Sequence, residues 1–94
     1  MSRPPLIADF AVDDENVDKM WGHGISPEQV TEVLYNRPVA KGNRKNRHGA
    51  FLLVGRDNGG ACIAIPVEPT SEPLTWRPIT AWYCKKSEEA RLRG

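Results

Sequence analysis

The sequence lacks any hydrophobic run that approaches the roughly 20 residues of a membrane-spanning helix. Its first residues lead into no long apolar segment of the kind found in secretory signal peptides. We therefore expect a soluble cytoplasmic protein with no membrane partner. The length of 94 residues fits a single domain over residues 1–94, of which we expect residues 1–5 to be disordered.

Cysteine and histidine are scarce, with two of each. Cys62 and Cys84 have no metal-ligand spacing, and we expect both to remain reduced and to pack as small apolar residues. The sequence also contains no phosphate-binding P-loop, no dinucleotide fingerprint and no G-x-S-x-G nucleophile motif. These absences predict a protein that binds no metal and needs no cofactor.

Charge is unevenly distributed along the chain, although the net charge is only +1. Residues 1–36 contain two basic and seven acidic residues, a net charge of −5, whereas residues 37–56 contain six basic residues and no acid. Residues 57–94 are balanced. The basic segment predicts contact with an anionic partner, although a solvated loop explains a basic run more often.

A first helix is predicted after residue 12. Asp13 or Asp14 can accept hydrogen bonds at its N-terminus. Val17, Met20 and Trp21 have the spacing of one helical face, and we expect Trp21 to help fill the core. A Gly-His-Gly sequence ends this helix, because glycine tolerates the backbone conformation that terminates helices.

A second helix is predicted over residues 26–36. Ser26 and Gln29 have the spacing of a capping box, with Pro27 between them at the first helical position. Pro38 disfavours helical geometry in the residue before it, so the helix should end near residue 36.

Later apolar runs predict strands, with a loop over residues 37–49 and a short helix beginning near Ser87. Pro66 should mark a sheet edge or a strand end, because proline cannot donate a hydrogen bond to a neighbouring strand. The predicted strands are Leu6 to Val12, Ala50 to Val54, Ala61 to Val67 and Leu74 to Tyr83. The pattern predicts an α+β fold, in which two N-terminal helices pack on a small antiparallel sheet of three to four strands, followed by a short C-terminal helix.

The two histidines are candidate proton-transfer groups. His23 lies at the end of the first helix, where it can cap that helix or act as a general acid or base. His48 ends the run Arg44-Lys45-Asn46-Arg47-His48, whose cations suit phosphate contact if the run is more than a solvated loop.

Two arginines belong to predicted strands or their ends. Arg56 and Arg77 can pair with acidic residues of the N-terminal half, or they can bind phosphate and stabilise charge during phosphodiester cleavage. Trp82 and Tyr83 are consecutive in a strand and therefore face opposite sides. One of these rings should be exposed, where it can stack on a base or on a partner's side chain.

Three segments resemble the BrnT-like toxins. Residues 21–30 (WGHGISPEQV) resemble the family's K-H-G-[VI]-S-x-E-x-[AV] segment, residues 51–56 (FLLVGR) resemble one of its strands, and residues 76–81 (WRPITA) resemble another. The similarity spans roughly residues 10–92 in order and spacing. The chain departs from the family in having Gly22 where a lysine is common and Trp82 where the last strand keeps an arginine.

BrnT-like proteins are RelE-like ribonuclease toxins of type II toxin–antitoxin systems, and a DNA-binding antitoxin neutralises them. The resemblance therefore implies metal-independent cleavage of RNA, with RNA and a cognate antitoxin as partners and no cofactor. The catalytic candidates are His23, Arg56, Arg77 and His48. The RNA-binding candidates are Lys41, Arg44, Lys45, Arg47 and Trp82.

Two other functions fit the same residues. A non-catalytic module could bind RNA or a protein through the basic segment without cleaving anything. A plain interaction domain could instead dock that segment on an acidic stretch of a partner or of a second copy. The sequence leaves the oligomeric state open.

Overall fold

A computed structural model describes residues 7–42 and 51–93 of the chain. The fold is α+β, as predicted. The elements are β1 (Asp9–Phe10), α1 (Asp14–Gly22), α2 (Pro27–Tyr35), β2 (Val39–Gly42), β3 (Phe51–Arg56), β4 (Cys62–Pro69), β5 (Thr75–Pro78), β6 (Trp82–Tyr83), α3 (Lys86–Glu89) and a 3₁₀ helix (Ala90–Arg93). None of the helices within these ranges is long and apolar enough to cross a membrane.

The sheet has six strands within the described residues, in the order β1-β5-β4-β3-β2, and β6 pairs with β4. Strands β1 and β5 are parallel, and the other pairs are antiparallel. The expectation of three to four strands in a purely antiparallel sheet was therefore wrong. Part of the predicted loop is strand β2, which pairs with β3, and the predicted strand over residues 74–83 is divided into β5 and β6.

Both predicted helix starts are confirmed. Asp13 caps α1, because its Oδ1 accepts a hydrogen bond of 2.9 Å from the backbone N–H of Asn16. The capping box of α2 is complete: Gln29 N–H donates to Ser26 Oγ at 3.2 Å, and Ser26 N–H donates to Gln29 Oε1 at 2.9 Å. Helix α2 ends at Tyr35 with Asn36 as its C-cap, close to the end that Pro38 predicts.

The two long helices pack on one face of the sheet. Their buried side chains join those of β3 and β4 in the main core, which contains Met20, Ile25, Val30, Val33, Leu53, Ile63, Ile65 and Val67. Trp21 was wrongly expected there, since it is 57% exposed. Successive side chains of an α-helix point about 100° apart around the helix axis, so neighbouring residues face different surroundings. Met20 and Asn16 face the sheet, and Trp21 is turned away from it.

The opposite face of the sheet carries a smaller apolar cluster. Val54, Cys62 and Ala64 form its buried part, and Trp82 and Leu92 pack against it from the C-terminal segment. Cys62 also forms a disulfide with Cys84, with the two Cα atoms 5.3 Å apart. The expectation of two free cysteines was therefore wrong. The pairing of β4 with β6 brings the two residues together, and neither sequence neighbourhood reveals that pairing.

Strand β4 changes its partner part-way along its length. It pairs with β6 through Ile63 and Ala64 and with β5 from Val67 onwards. Between these stretches lies Pro66, which has no N–H to donate. The prediction that Pro66 marks an edge or a strand end was wrong, because it lies inside a central strand. Its missing N–H coincides with the interruption between β5 and β6, where residues 79–81 leave the strand and approach α1.

Candidate functional site

Helix α1 runs beside the chain segment from β5 to β6 and is joined to it by side-chain hydrogen bonds. We call this line of contact the α1 seam. The bonds, in order along α1, are Arg77 Nε to Asp13 Oδ2 (3.2 Å), Asn16 Nδ2 to the Ile79 carbonyl (3.3 Å) and Tyr83 Oη to the Gly24 carbonyl (3.4 Å). These bonds join the β5–β6 segment to the N-cap of α1, to its first turn and to the chain just after its end.

A groove of about 340 Å³ lies on the α1 seam and is lined by Lys19, His23, Ile79 and Thr80. We call it the His23 groove. Lys19 and His23 are four residues apart, so they lie on neighbouring turns of the same side of the helix. The backbone of His23 is held by the turn that ends α1, because the His23 N–H donates to the Met20 carbonyl at 3.0 Å. Two basic side chains therefore line one side of the groove, and the strand interruption forms the other.

The Thr80 hydroxyl is the unusual polar group of the groove. Its oxygen is buried and has no hydrogen-bond partner among the described residues. Buried hydroxyls in proteins nearly always have such a partner, because an unsatisfied one costs about 1–3 kcal/mol. Thr80 lines the groove together with Lys19 and His23. Because its hydroxyl oxygen is buried, the side chain has to rotate before it can donate a hydrogen bond to an anionic ligand in the groove.

Lys19 forms one ion pair in the structure, with Glu15 at 3.2 Å one turn earlier on α1. Both side chains are about half exposed or more, and exposed pairs of this kind stabilise proteins little. Lys19 can therefore exchange Glu15 for a ligand at small cost. Basic residues in the last turn also favour the helix dipole, so the helix itself accounts for part of this arrangement. It does not account for the Thr80 hydroxyl.

Arg77 lies at one end of the α1 seam, between two carboxylates. Its Nη1 donates to Glu68 Oε1 at 2.6 Å, and its Nε donates to Asp13 Oδ2. Glu68 and Asp13 raise the pKa of the Arg77 guanidinium. The Asn16 N–H and Arg77 together lower the pKa of Asp13. The sequence left two roles open for Arg77, an ion pair with an acid of the N-terminal half or phosphate binding. In the structure Arg77 forms the ion pair, with Asp13.

Arg56 lies away from the seam. In the sheet, Arg56 on β3 lies opposite Cys62 at one end of β4. Arg77 on β5 lies opposite Glu68 near the other end. Six residues of extended strand separate the two positions by roughly 20 Å. The Arg56 guanidinium contacts Glu89 at 3.5 Å and the Gly60 carbonyl at 3.0 Å. The structure therefore places Arg77 and His23 at opposite ends of the α1 seam, about 15 Å apart along the helix, and places Arg56 away from the seam.

The aromatic pair at β6 divides as expected into an exposed and a covered ring. Trp82 is the covered one: it packs on the smaller cluster, and its indole N–H donates to Glu88 Oε1 at 3.0 Å. Tyr83 is 49% exposed. The exposed ring suited to stacking is thus Tyr83, whereas the sequence had favoured Trp82.

The predicted RNA-binding residues of the basic segment fall mostly beyond the described chain. Arg44, Lys45 and Arg47 lie outside the described residues, as does the catalytic candidate His48. Lys41 is exposed on β2, in a shallow pocket shared with Leu52 and Arg91. This pocket is separate from the His23 groove, because the two have no lining residue in common.

Across residues 7–42 and 51–93, no group of three or more His, Cys, Asp or Glu side chains is arranged to hold a metal ion. No family model, curated protein or solved structure matches the chain. The chemistry of the groove therefore has to be derived from its own residues.

Lys19 and Thr80 are the groove residues that the sequence did not single out. The four-residue spacing of Lys19 and His23 was a usable signal, because it places both on one side of a helix. Thr80 gave no local signal. Its position depends on the strand interruption opposite Pro66, which follows from sheet pairing.

Proposed function

We propose that this chain is a BrnT-like toxin of a type II toxin–antitoxin pair, a cytoplasmic ribonuclease that cleaves RNA without a metal ion and is neutralised by a cognate antitoxin. One observation carries the proposal. In the His23 groove, two basic residues one helical turn apart line the same pocket as Thr80, whose buried hydroxyl has no hydrogen-bond partner among the described residues. This combination suits an RNA phosphate.

Lys19 and Thr80 bind the phosphate in this proposal. The Lys19 ammonium contacts a non-bridging oxygen, and the Thr80 hydroxyl donates a hydrogen bond to another. As the phosphorus gains a fifth oxygen, negative charge grows on these oxygens. The Lys19 cation and the Thr80 hydroxyl then stabilise the transition state more than the ground state.

His23 transfers the proton. The ribose 2′-oxygen attacks the adjacent phosphorus, His23 accepts the 2′-hydroxyl proton, and the bond from phosphorus to the 5′-oxygen breaks. The leaving 5′-oxygen takes a proton from solvent. The products are a 2′,3′-cyclic phosphate and a 5′-hydroxyl, and the reaction consumes no water. Histidine is the usual group for this step near neutral pH.

Arg77 and Arg56 have supporting roles. Arg77 positions α1 through Asp13, so that Lys19 and His23 meet the strand interruption at Thr80. Arg56 and Lys41 belong to the segment 37–56, whose six basic residues attract RNA over a longer range. We assign Arg44, Lys45, Arg47 and His48 to the same attraction.

A non-catalytic RNA- or protein-binding module is the second candidate. One observation favours it: Arg56 and Arg77 are each bonded to a carboxylate and lie at opposite ends of β4, so they form no joint phosphate clamp. This candidate predicts salt-sensitive RNA binding without cleavage.

A cleavage assay separates the candidates. The protein, free of any partner, is mixed with a structured RNA at low salt in the presence of EDTA, alongside His23→Asn and Lys19→Met. We expect cleavage by the wild type and its loss in both variants. Lys86→Met is the matched control, since it removes an exposed lysine on α3 and should cleave normally.

Each other outcome has a definite meaning. Intact RNA with a gel shift would support the non-catalytic RNA-binding module. Intact RNA without a shift would contradict both RNA candidates and leave another protein as the partner. Cleavage that persists in His23→Asn would remove His23 from the mechanism.

A further inference from the structure

Tyr83 presents an exposed aromatic ring beside the His23 groove. Its hydroxyl donates to the carbonyl of Gly24, the residue that follows His23, at 3.4 Å. It also lies three residues after Thr80 along the chain. Tyr83 does not line the groove itself, but its hydroxyl contacts the residue next to His23.

The position of the ring is supported by a chain of hydrogen bonds. Gln29 Nε2 donates to the Tyr83 hydroxyl at 3.4 Å and to Asp57 Oδ2 at 3.0 Å. Gln29 Oε1 accepts from the Ser26 N–H in the capping box. The amide that contacts Tyr83 is thus held by both α2 and the β3–β4 turn. These two long hydrogen bonds place the hydroxyl end of the ring between α2 and the turn after α1.

We infer that Tyr83 is a stacking platform for a nucleobase of single-stranded RNA, one whose neighbouring phosphate occupies the His23 groove. The inference rests on the proposed function and extends it. Stacking requires a base with a free face, so the substrate class is an unpaired segment of RNA. Aromatic stacking tolerates every base, so Tyr83 selects for single-strandedness and contributes little sequence preference.

The alternative explanation is that Tyr83 only joins β6 to the turn after α1. The two roles make different demands on the side chain. A joining role needs the hydroxyl, which makes both hydrogen bonds. A stacking role needs the aromatic ring. Tyr83→Phe removes the hydroxyl and keeps the ring, whereas Tyr83→Leu removes both and keeps apolar bulk.

The test measures the dissociation constant of a fluorescent single-stranded RNA by anisotropy. Every 2′-hydroxyl of this RNA is methylated, so that the cleavage chemistry is blocked. We expect Tyr83→Phe to bind within about twofold of the wild type and Tyr83→Leu to bind about 5- to 100-fold more weakly, the usual effect of losing one stacked base. Tyr35→Leu is the matched control, because Tyr35 is exposed on α2 away from the groove.

A second arm uses the wild-type protein alone and does not depend on the folding of a variant. An abasic residue is moved along the RNA one position at a time. One position should weaken wild-type binding as much as Tyr83→Leu does, and the same abasic RNA should bind Tyr83→Leu with no further loss.

Failure of the inference is distinguishable from failure of the proposed function. If the wild type binds the RNA and no abasic position or Tyr83 variant weakens binding, Tyr83 is not a stacking platform, and the proposed function stands. If the wild type binds with Tyr83-dependent affinity but does not cleave unmethylated RNA, the inference stands and the catalytic proposal fails. If the wild type binds no RNA, both are overturned.

Discussion

Arg77 donates a hydrogen bond of 3.2 Å to Asp13, the residue that caps α1, and thereby ties the start of that helix to β5. Variants at this contact distinguish two roles for Arg77: it either positions α1 beside the groove or binds phosphate itself. We expect Arg77→Ala to reduce cleavage mainly through kcat, because α1 and its basic residues lose their alignment with Thr80.

Asp13→Asn separates the two roles of Arg77. Asparagine caps helices as well as aspartate does, so the variant keeps the cap and removes the charge that holds Arg77. If Arg77 acts through Asp13, Asp13→Asn should reproduce most of the loss seen in Arg77→Ala. If Asp13→Asn cleaves as well as the wild type or better, Arg77 does not act through Asp13, and the positioning role is contradicted.

Asp57 should make stability depend on pH in acid. Its Oδ1 accepts from the Gly59 and Ala61 N–H groups, both at 2.9 Å, and its Oδ2 accepts from Gln29. The Gln29 amide, and after it these backbone N–H groups, lower the pKa of Asp57 in the folded protein. A lowered carboxyl pKa stabilises the fold above the unfolded-state value, near pH 4, and this contribution is lost as the pH falls through the folded-state value.

Asp57→Asn measures this contribution by difference. We expect the variant to be about 1–3 kcal/mol less stable than the wild type at pH 7 and the gap to narrow by pH 3, as followed by urea denaturation. A gap that stays constant between pH 7 and pH 3 would show that the Asp57 charge does not contribute to folding.

The disulfide between Cys62 and Cys84 closes a loop with a sequence separation of 22. Closing a loop of this length stabilises the folded state by about 3 kcal/mol in the chain-entropy description. We expect a reducing agent to lower the free energy of unfolding by about that much. The variant with both Cys62→Ser and Cys84→Ser should be insensitive to the reductant. Two reactive thiols in the folded, untreated protein would contradict the pairing. Our proposal places the protein in the cytoplasm, where thiols are kept reduced, so cleavage should be measured with the reduced protein as well.

Gly55, on β3, lies close to both α2 and the chain that follows it. A Cβ added there would stand 2.9 Å from Val33 Cγ1 and 3.0 Å from Pro38 Cβ. We expect Gly55→Ala to destabilise the protein by about 1–3 kcal/mol through overpacking. Gly22→Ala is the control, since an added Cβ there meets nothing within 4 Å. It should leave thermal stability unchanged or raise it. Equal stability of the two variants would contradict the close packing at Gly55.

Local chemistry made the helices predictable. The capping box at Ser26 and Gln29 involves residues three apart, and the proline at residue 38 limits its immediate neighbour, so both ends of α2 follow from short stretches of sequence. Trp21 was misplaced because it borders the apolar stripe of α1, and periodicity alone does not show on which side of that border a residue is buried.

Non-local pairing explains what the sequence did not predict. Strand β2, the disulfide and the position of Thr80 all depend on which strands lie side by side, and such pairings join residues far apart in the chain. His23 was identified from its place at a helix end. Its neighbours in the groove were not, because Thr80 reaches it only through the strand interruption opposite Pro66.

Backbone amide chemical shifts test most directly whether RNA binds at the α1 seam. The isotope-labelled protein is titrated with the methylated single-stranded RNA while the amide resonances of His23, Thr80 and Tyr83 are followed. Our proposal predicts that these resonances shift together and saturate with one dissociation constant, whereas those of Arg56 and Arg91 move little. Saturable shifts that leave His23, Thr80 and Tyr83 unchanged would place the RNA elsewhere and contradict the proposed site.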